Sequence, residues 1–186
     1  MSGKMIVICA PSGTGKSTLI SKLKQDHPDL EWSVSCTTRA IRAGEVNGRE
    51  YHFITVEDFE QQIKQQQFIE WAKVHSNYYG TSKLFVDAGL QAGVKMLFDL
   101  DVQGADAMKK IYGERAQVIF IEPPSLDELE KRLNQRGTDE PEVIRERLDN
   151  ARRELARKND YDYLIMNDDV DRAYGELKRA VERILK

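Results

Sequence analysis

A short apolar run, Met5-Ile6-Val7-Ile8-Cys9, leads directly into Ala10-Pro11-Ser12-Gly13-Thr14-Gly15-Lys16-Ser17-Thr18. This nearly reproduces the phosphate-binding loop pattern Gly-x-x-x-x-Gly-Lys-[Ser/Thr], with Ala10 in place of the first glycine. The pattern requires a strand before the loop and a helix after it, which directs the chain toward alternating α/β architectures. Gly13 and Gly15 let successive N–H groups converge on one anion. A helix opening near Gly15 adds its unpaired N–H groups and the positive end of its dipole. Lys16 supplies charge for the outer phosphates, and Ser17 a hydroxyl for magnesium.

The rest of the chain continues the alternation. The loop helix is expected over residues 16–25, ending before His27-Pro28. Further buried strands are predicted at 94–99, 117–121 and 163–166, and helices at 82–91, 102–111, 142–158 and 170–185. After Pro123-Pro124, Ser125 and Glu128 form a capping box for a helix carrying Leu126, Leu129 and Leu133. Residues 137–141 are expected to turn. Strands alternating with helices imply a parallel sheet covered on both faces, with ligands bound outside the carboxyl ends of the strands.

Residues 33–83 break this rhythm. Asn47-Gly48 is a turn signal, and Tyr51-His52-Phe53 a short strand. Thr55 and Asp58 cap a helix bearing Phe59 and Ile63, 68–74 is a strand, and Asn77-Tyr78-Tyr79-Gly80 is read as a turn. The stretch has the character of a small insertion with its own sheet.

The 186 residues suit one domain, or one core with insertions. The net charge of −3 excludes a general basic field for nucleic acid. The two cysteines, Cys9 and Cys36, give no disulfide framework, and His27, His52 and His75 lack metal-ligand spacing. No apolar run approaches the ~20 residues of a membrane span, and a cytoplasmic location is expected. The sequence leaves the oligomeric state open, an assembly of identical copies included.

Asp99, at the end of a predicted strand, has the setting of an acid that holds magnesium beside a phosphate loop; the alternative is a helix-capping role. Arginines cluster at Arg39, Arg42 and Arg49, and again from Arg132 to Arg157. Most of the second group is expected to form a solvated face paired with Glu142, Glu146, Asp149 and Glu154. Arg136, before Gly137 in a turn between helices, is better placed to swing over phosphates.

The motifs together resemble those of guanylate kinases, the nucleoside monophosphate kinases that phosphorylate GMP. The matching residues are the loop, Thr37-Thr38-Arg39, residues 42–48, Phe68-Ile69-Glu70-Trp71, residues 77–81, residues 99–104, Arg132-Leu133 with Arg136-Gly137-Thr138, and Asn167-Asp168-Asp169. The resemblance spans nearly the whole chain. It implies a three-layer parallel sheet of the P-loop kinase type with a small mixed GMP-binding insertion and a helical lid. The corresponding divisions are 1–32, 84–124 and 160–186 for the core, 33–83 for the GMP-binding subdomain, and 125–159 for the lid.

Under this resemblance, Ala10 to Thr18 would bind ATP, the co-substrate, and Ser17 and Asp99 would hold Mg2+. Arg39, Arg42, Tyr51 and Tyr79 would take the GMP phosphate, where an arginine fork suits paired phosphate oxygens. Ser35, Glu70, Thr81 and Asp101 would surround guanine and its sugar. A carboxylate at Glu70 can accept from both the N1–H and the N2 amino group of guanine, and adenine has no donor at N1. A structural alternative leaves Tyr51 and Tyr79 as packing aromatics and Ser35 as a strand-end cap. Lys16, Arg136 and Arg147, with Arg132 in support, would stabilise the transferring group. Ala10 stands where the family commonly has Gly, Cys36 where Ser is frequent, and Thr81 where Ser can stand.

Two other classes share part of the pattern. A GTPase switch would use the loop and Asp101-Val102-Gln103-Gly104, but the chain lacks the Asn-Lys-x-Asp tetrapeptide that reads guanine in that class. A guanylate-kinase-like binding module typically has a degraded loop, whereas Lys16 and Ser17 are present here.

Overall fold

A computed structural model describes residues 3–74, 76–136 and 140–186. The predicted turn at 137–141 lies largely outside the described residues. Strands β1 (Lys4–Cys9), β2 (Glu31–Trp32), β7 (Lys95–Asp99), β8 (Ala116–Glu122) and β9 (Tyr163–Met166) form a five-stranded sheet in the order β2-β7-β1-β8-β9. Every pairing in it is parallel. β1 is therefore central, and its alternating side chains feed two cores. Ile6 and Ile8 pack with Leu19 and Leu23 of α1 (Lys16–Asp26) and Leu177 and Val181 of α7 (Val170–Leu185). Met5, Val7 and Cys9 pack with Val86 and Leu90 of α3 (Lys83–Gln91) and Ala105 and Met108 of α4 (Val102–Tyr112). Burial of each large aliphatic side chain contributes roughly 1.5–3 kcal/mol, so the central strand is firmly held on both faces.

The insertion builds a second sheet from β3 (Cys36–Thr37), β4 (His52–Phe53), β5 (Phe68–Val74) and β6 (Asn77–Ser82), in the order β4-β3-β6-β5. It is mixed: β3 pairs parallel with β4 and antiparallel with β6, and β5 pairs antiparallel with β6. Helix α2 (Val56–Lys64) covers it, capped by Thr55, whose hydroxyl accepts from the Asp58 N–H at 3.0 Å. Phe59 on α2 stacks on Phe68 at 4.2 Å, which gives this sheet a core of its own.

One expectation fails here. Residues Asn77 to Gly80 are strand, not turn. Gly80 is present for close packing: a Cβ there would lie 2.9 Å from the Glu70 carbonyl and 3.0 Å from Trp71 Cβ. Tyr78 and Tyr79 before it are good strand formers; both pair with β5, and Tyr79 pairs with β3 as well.

Helices α5 (Leu126–Arg136) and α6 (Pro141–Leu155) form a third unit. Leu129 and Leu133 of the first meet Ile144, Leu148 and Ala151 of the second. Ser125 caps α5, its hydroxyl accepting from Glu128 N–H at 3.1 Å. Pro141 occupies the first position of α6, where its missing N–H costs nothing. The helix ends at Leu155, three residues before the expected Lys158. Arg152 pairs with Asp149 at 2.8 Å as the solvated-face reading requires, but Arg157 reaches instead to Asp106 of α4 at 2.6 Å. Both cysteines are free and buried, and desolvation pushes the thiol of Cys9 up to about 12 and that of Cys36 to about 11.

Candidate active site

β1 ends where the loop begins, so the sheet itself aims the loop. Gly13 and Gly15 take φ of 92° and 89°, values that favour glycine. Among the described residues, the N–H groups of Gly13, Gly15, Lys16 and Ser17 meet no intramolecular acceptor, the condition for an anion nest. Ala10 and Pro11 are buried at the strand exit, and Ser12, Ser17 and Thr18 are exposed. The loop lines a cavity of about 490 Å3 together with Asp101, Arg147 and Glu154.

Lys16 lines this cavity as well. Its Nζ pairs with Asp99 at 2.8 Å and donates to the Leu100 carbonyl, both at the end of β7. The Asp99 side chain is 45% exposed, which leaves it access to water and ions. The capping role considered for Asp99 belongs to Asp101, whose Oδ1 accepts from Gly104 N–H at 2.7 Å at the start of α4.

Asp101 and Gln103 also wall a second cavity, about 390 Å3, against β5. Glu70 lines it and accepts from the Thr81 hydroxyl at 2.6 Å across the β5–β6 pair. Burial, with the nearby Asp101 charge, raises the Glu70 carboxyl above its ordinary range, and the Thr81 hydrogen bond opposes this. The acceptor pair Glu70 and Asp101 thus adjoins the anion nest.

The insertion gathers Arg39, Tyr51 and Tyr79. The tyrosine rings meet edge-on at 5.8 Å, and the Arg39 guanidinium lies 5.5 Å from the Tyr51 centroid. The Arg39 fork is engaged by Glu45 at 2.7 and 3.0 Å, and Glu45 also accepts from Arg42 N–H at 2.8 Å. These bonds hold the Glu45 carboxyl below its usual range. Arg42 itself is exposed. Ser35 is half-buried ahead of β3, and its carbonyl accepts from His52 N–H at 2.9 Å.

On the lid, Arg147 reaches the loop, with Nη1 3.5 Å from Ser12 Oγ. Arg132 stands elsewhere: it donates to the Thr14 carbonyl at 3.3 Å and the Asn167 carbonyl at 3.0 Å. It lines a cavity of about 400 Å3 with Gly13, Gly15, Thr18 and Asn167. The backbone of Arg136 closes α5, and its side chain is outside the described residues.

Glu45 and Glu154 take places in the site that their sequence pattern does not assign. Glu45 organises Arg39; its spacing in the loop, six residues after Arg39 and three after Arg42, is the only local signal. Glu154, read as a partner for surface arginines, instead lines the loop cavity, and burial, with Asp101 adding to it, raises its carboxyl.

A parallel sheet whose central strand opens into an anion nest, with a lysine and a strand-end acid beside it, defines a P-loop nucleotide-binding protein of the kinase type. The guanylate kinase family model matches residues 2–184. A guanylate kinase of Nitratidesulfovibrio vulgaris is 50% identical over 180 residues, 96% of this chain and 86% of the relative. One from a Shewanella species is 48% identical over 180 residues, with the same coverage. The crystal structure of the guanylate kinase from Anaplasma phagocytophilum superposes with a TM-score of 0.67 at 29% identity, covering 98% of this chain and 86% of that one. The chain belongs to the guanylate kinase family.

Proposed function

We propose that the chain transfers a phosphoryl group from ATP to GMP or dGMP through the two adjoining cavities. As a guanylate kinase it is an ATP:GMP phosphotransferase. The observation that carries the assignment of sides is the shared wall: Asp101 faces both the loop cavity and the Glu70 cavity.

In this reading Ala10 to Thr18 hold the ATP phosphates. Glu70, oriented by Thr81 and joined by Asp101 and Ser35, accepts the guanine donors. Arg39, Arg42, Tyr51 and Tyr79 take the GMP phosphate, with Arg39 exchanging Glu45 for phosphate oxygens. Residues 33–83 act as the GMP-binding subdomain and 125–159 as the lid, against a core of 1–32, 84–124 and 160–186. dGMP is proposed as an acceptor beside GMP.

The acceptor is a phosphate oxygen that is already anionic, so no strong general base is required. Positioning and charge stabilisation then supply the catalysis. Lys16 bridges donor phosphates, and Arg136 and Arg147 close over the transferring group, with Arg132 in support through its bond to the Thr14 carbonyl of the loop. Closure excludes water and suppresses ATP hydrolysis.

The residues fit Mg2+. No group of three His, Cys, Asp or Glu side chains gathers among the described residues, and magnesium held by phosphates and water needs only one or two protein oxygens. The exposed Asp99 carboxylate and the Ser17 hydroxyl supply them. Bound there, magnesium would neutralise charge on the donor phosphates. No helix among the described residues is long and apolar enough to cross a membrane. The role proposed for the chain is cytoplasmic, in purine nucleotide metabolism.

ADP formation measured with ATP and each of GMP, dGMP, AMP, CMP and UMP tests this. Turnover should appear with GMP and dGMP only. GTP hydrolysis without a GMP requirement would overturn it.

A further inference from the structure

The loop separates two cavities, and one peptide unit of it is gripped from behind. The Thr14 carbonyl accepts from Asn167 Nδ2 at 2.6 Å and from Arg132 Nη1 at 3.3 Å. Asn167 follows β9, is 3% exposed, and is anchored by its own N–H, which donates to the Glu122 carbonyl at 2.8 Å. Its carbonyl accepts from Arg132 Nη2 at 3.0 Å, so the three groups form one closed set.

In a planar trans peptide the C=O and N–H point in opposite directions. With the Thr14 carbonyl directed at Asn167 and Arg132, the Gly15 N–H of the same unit points away from them. Gly15 also lines the loop cavity, together with Lys16, Ser12 and Arg147.

Two further observations tie Asn167 to this peptide. A Cβ on residue 15 would lie 2.5 Å from Asn167 Nδ2, so Gly15 is required by this contact as well as by its φ. Among the described residues, Asn167 Oδ1 and Thr14 Oγ1 are both buried without a partner. Reversing the amide would set Oδ1 against the Thr14 carbonyl, so the observed orientation is the favourable one. The fold accepts an orphaned acceptor to keep one donor on that carbonyl.

We propose that Asn167 is a positioning residue for the donor phosphates: with Arg132 it locks the Thr14–Gly15 peptide so that the Gly15 N–H is presented to a phosphate oxygen. This rests on the reading of the loop cavity as the donor site. Asn167 touches no phosphate itself. Its effect on the reaction passes through the backbone of residue 15, and it leaves the acceptor cavity alone.

The test uses the full chain, 15N-labelled, titrated with MgADP in the absence of GMP. In the unsubstituted protein the Gly15 amide resonance should move downfield on binding. In Asn167→Ala the movement should shrink, and KM for ATP should rise about tenfold with KM for GMP unchanged. Asn167→Asp, nearly isosteric, sets an acceptor against the Thr14 carbonyl and should do more harm than alanine. Melting of the nucleotide-free variants separates loss of fold from loss of the lock. If neither folds, Arg132→Lys, which keeps the charge and loses the fork, is read the same way.

A Gly15 response and ATP KM equal to those of the unsubstituted protein in any folded variant would overturn the proposal alone. An unsubstituted protein whose Gly15 amide ignores MgADP would remove the donor-site reading, and the proposal with it.

Discussion

Glu70→Gln is the substitution that most directly tests how the acceptor base is read. Thr81 donates to Glu70 Oε1 at 2.6 Å, and this bond persists if the glutamine oxygen takes that position. The glutamine NH2 must then occupy the place of the second carboxylate oxygen and face a guanine donor. One charge-assisted hydrogen bond is lost, at about 1.5–3 kcal/mol, and a donor is set against a donor. A net loss of about 3 kcal/mol corresponds to roughly a hundredfold in kcat/KM, expressed mainly in KM for GMP. Steady-state ADP formation with GMP and with AMP measures it. A GMP/AMP preference that stays unchanged would refute the role assigned to Glu70.

The same carboxyl sets a pH dependence. Its pKa is raised, first by burial and then by the Asp101 charge. The base-reading form is the carboxylate, so kcat/KM for GMP should begin to fall at a pH above the ordinary glutamate range. The sign for stability is opposite. A carboxyl raised in the folded state contributes stability below its unfolded pKa, and that contribution is lost as pH rises through the folded value.

Two further outcomes are expected. Lys16→Ala removes the cation that pairs with Asp99 at 2.8 Å; kcat should fall roughly 10²–10³-fold with KM for GMP little changed, and retained turnover would contradict the donor role. Gly80→Ala forces a Cβ to within 2.9 Å of the Glu70 carbonyl, and its overpacking cost of about 1–3 kcal/mol should lower the melting midpoint by roughly 3–10 °C. An unchanged midpoint would show that β5 and β6 can separate freely.

The loop was legible in the sequence because all its parts are consecutive: strand, glycines, lysine and helix follow one another from Met5 to Asp26. The capping hydroxyls of Thr55 and Ser125 were legible for the same reason, since each satisfies an N–H three residues on. Gly80 was misread because glycine marks both turns and close approaches, and the neighbour that decides between them is on another strand. Glu154 shares its helix with arginines at helical spacing, yet the charges that act on it are Asp101 and Lys16, far away in sequence. The two-residue strands β2 and β3 carry too little pattern to be recognised locally; their pairing partners make them strands.

The central position of β1 bears on how the chain is made. Met5 to Cys9 leave the ribosome well before their sheet neighbours, residues 95–99 and 116–122. Until those have been synthesised, the most apolar strand of the core has two unpaired edges, a template for mispairing. The loop waits longer still, since the amide that grips the Thr14 carbonyl is 153 residues downstream. A nascent chain halted before Tyr163 contains the whole phosphate-binding motif and lacks its outer support. Contacts of such sequence separation slow folding, so the motif read first in the sequence is among the last parts of the molecule to take shape.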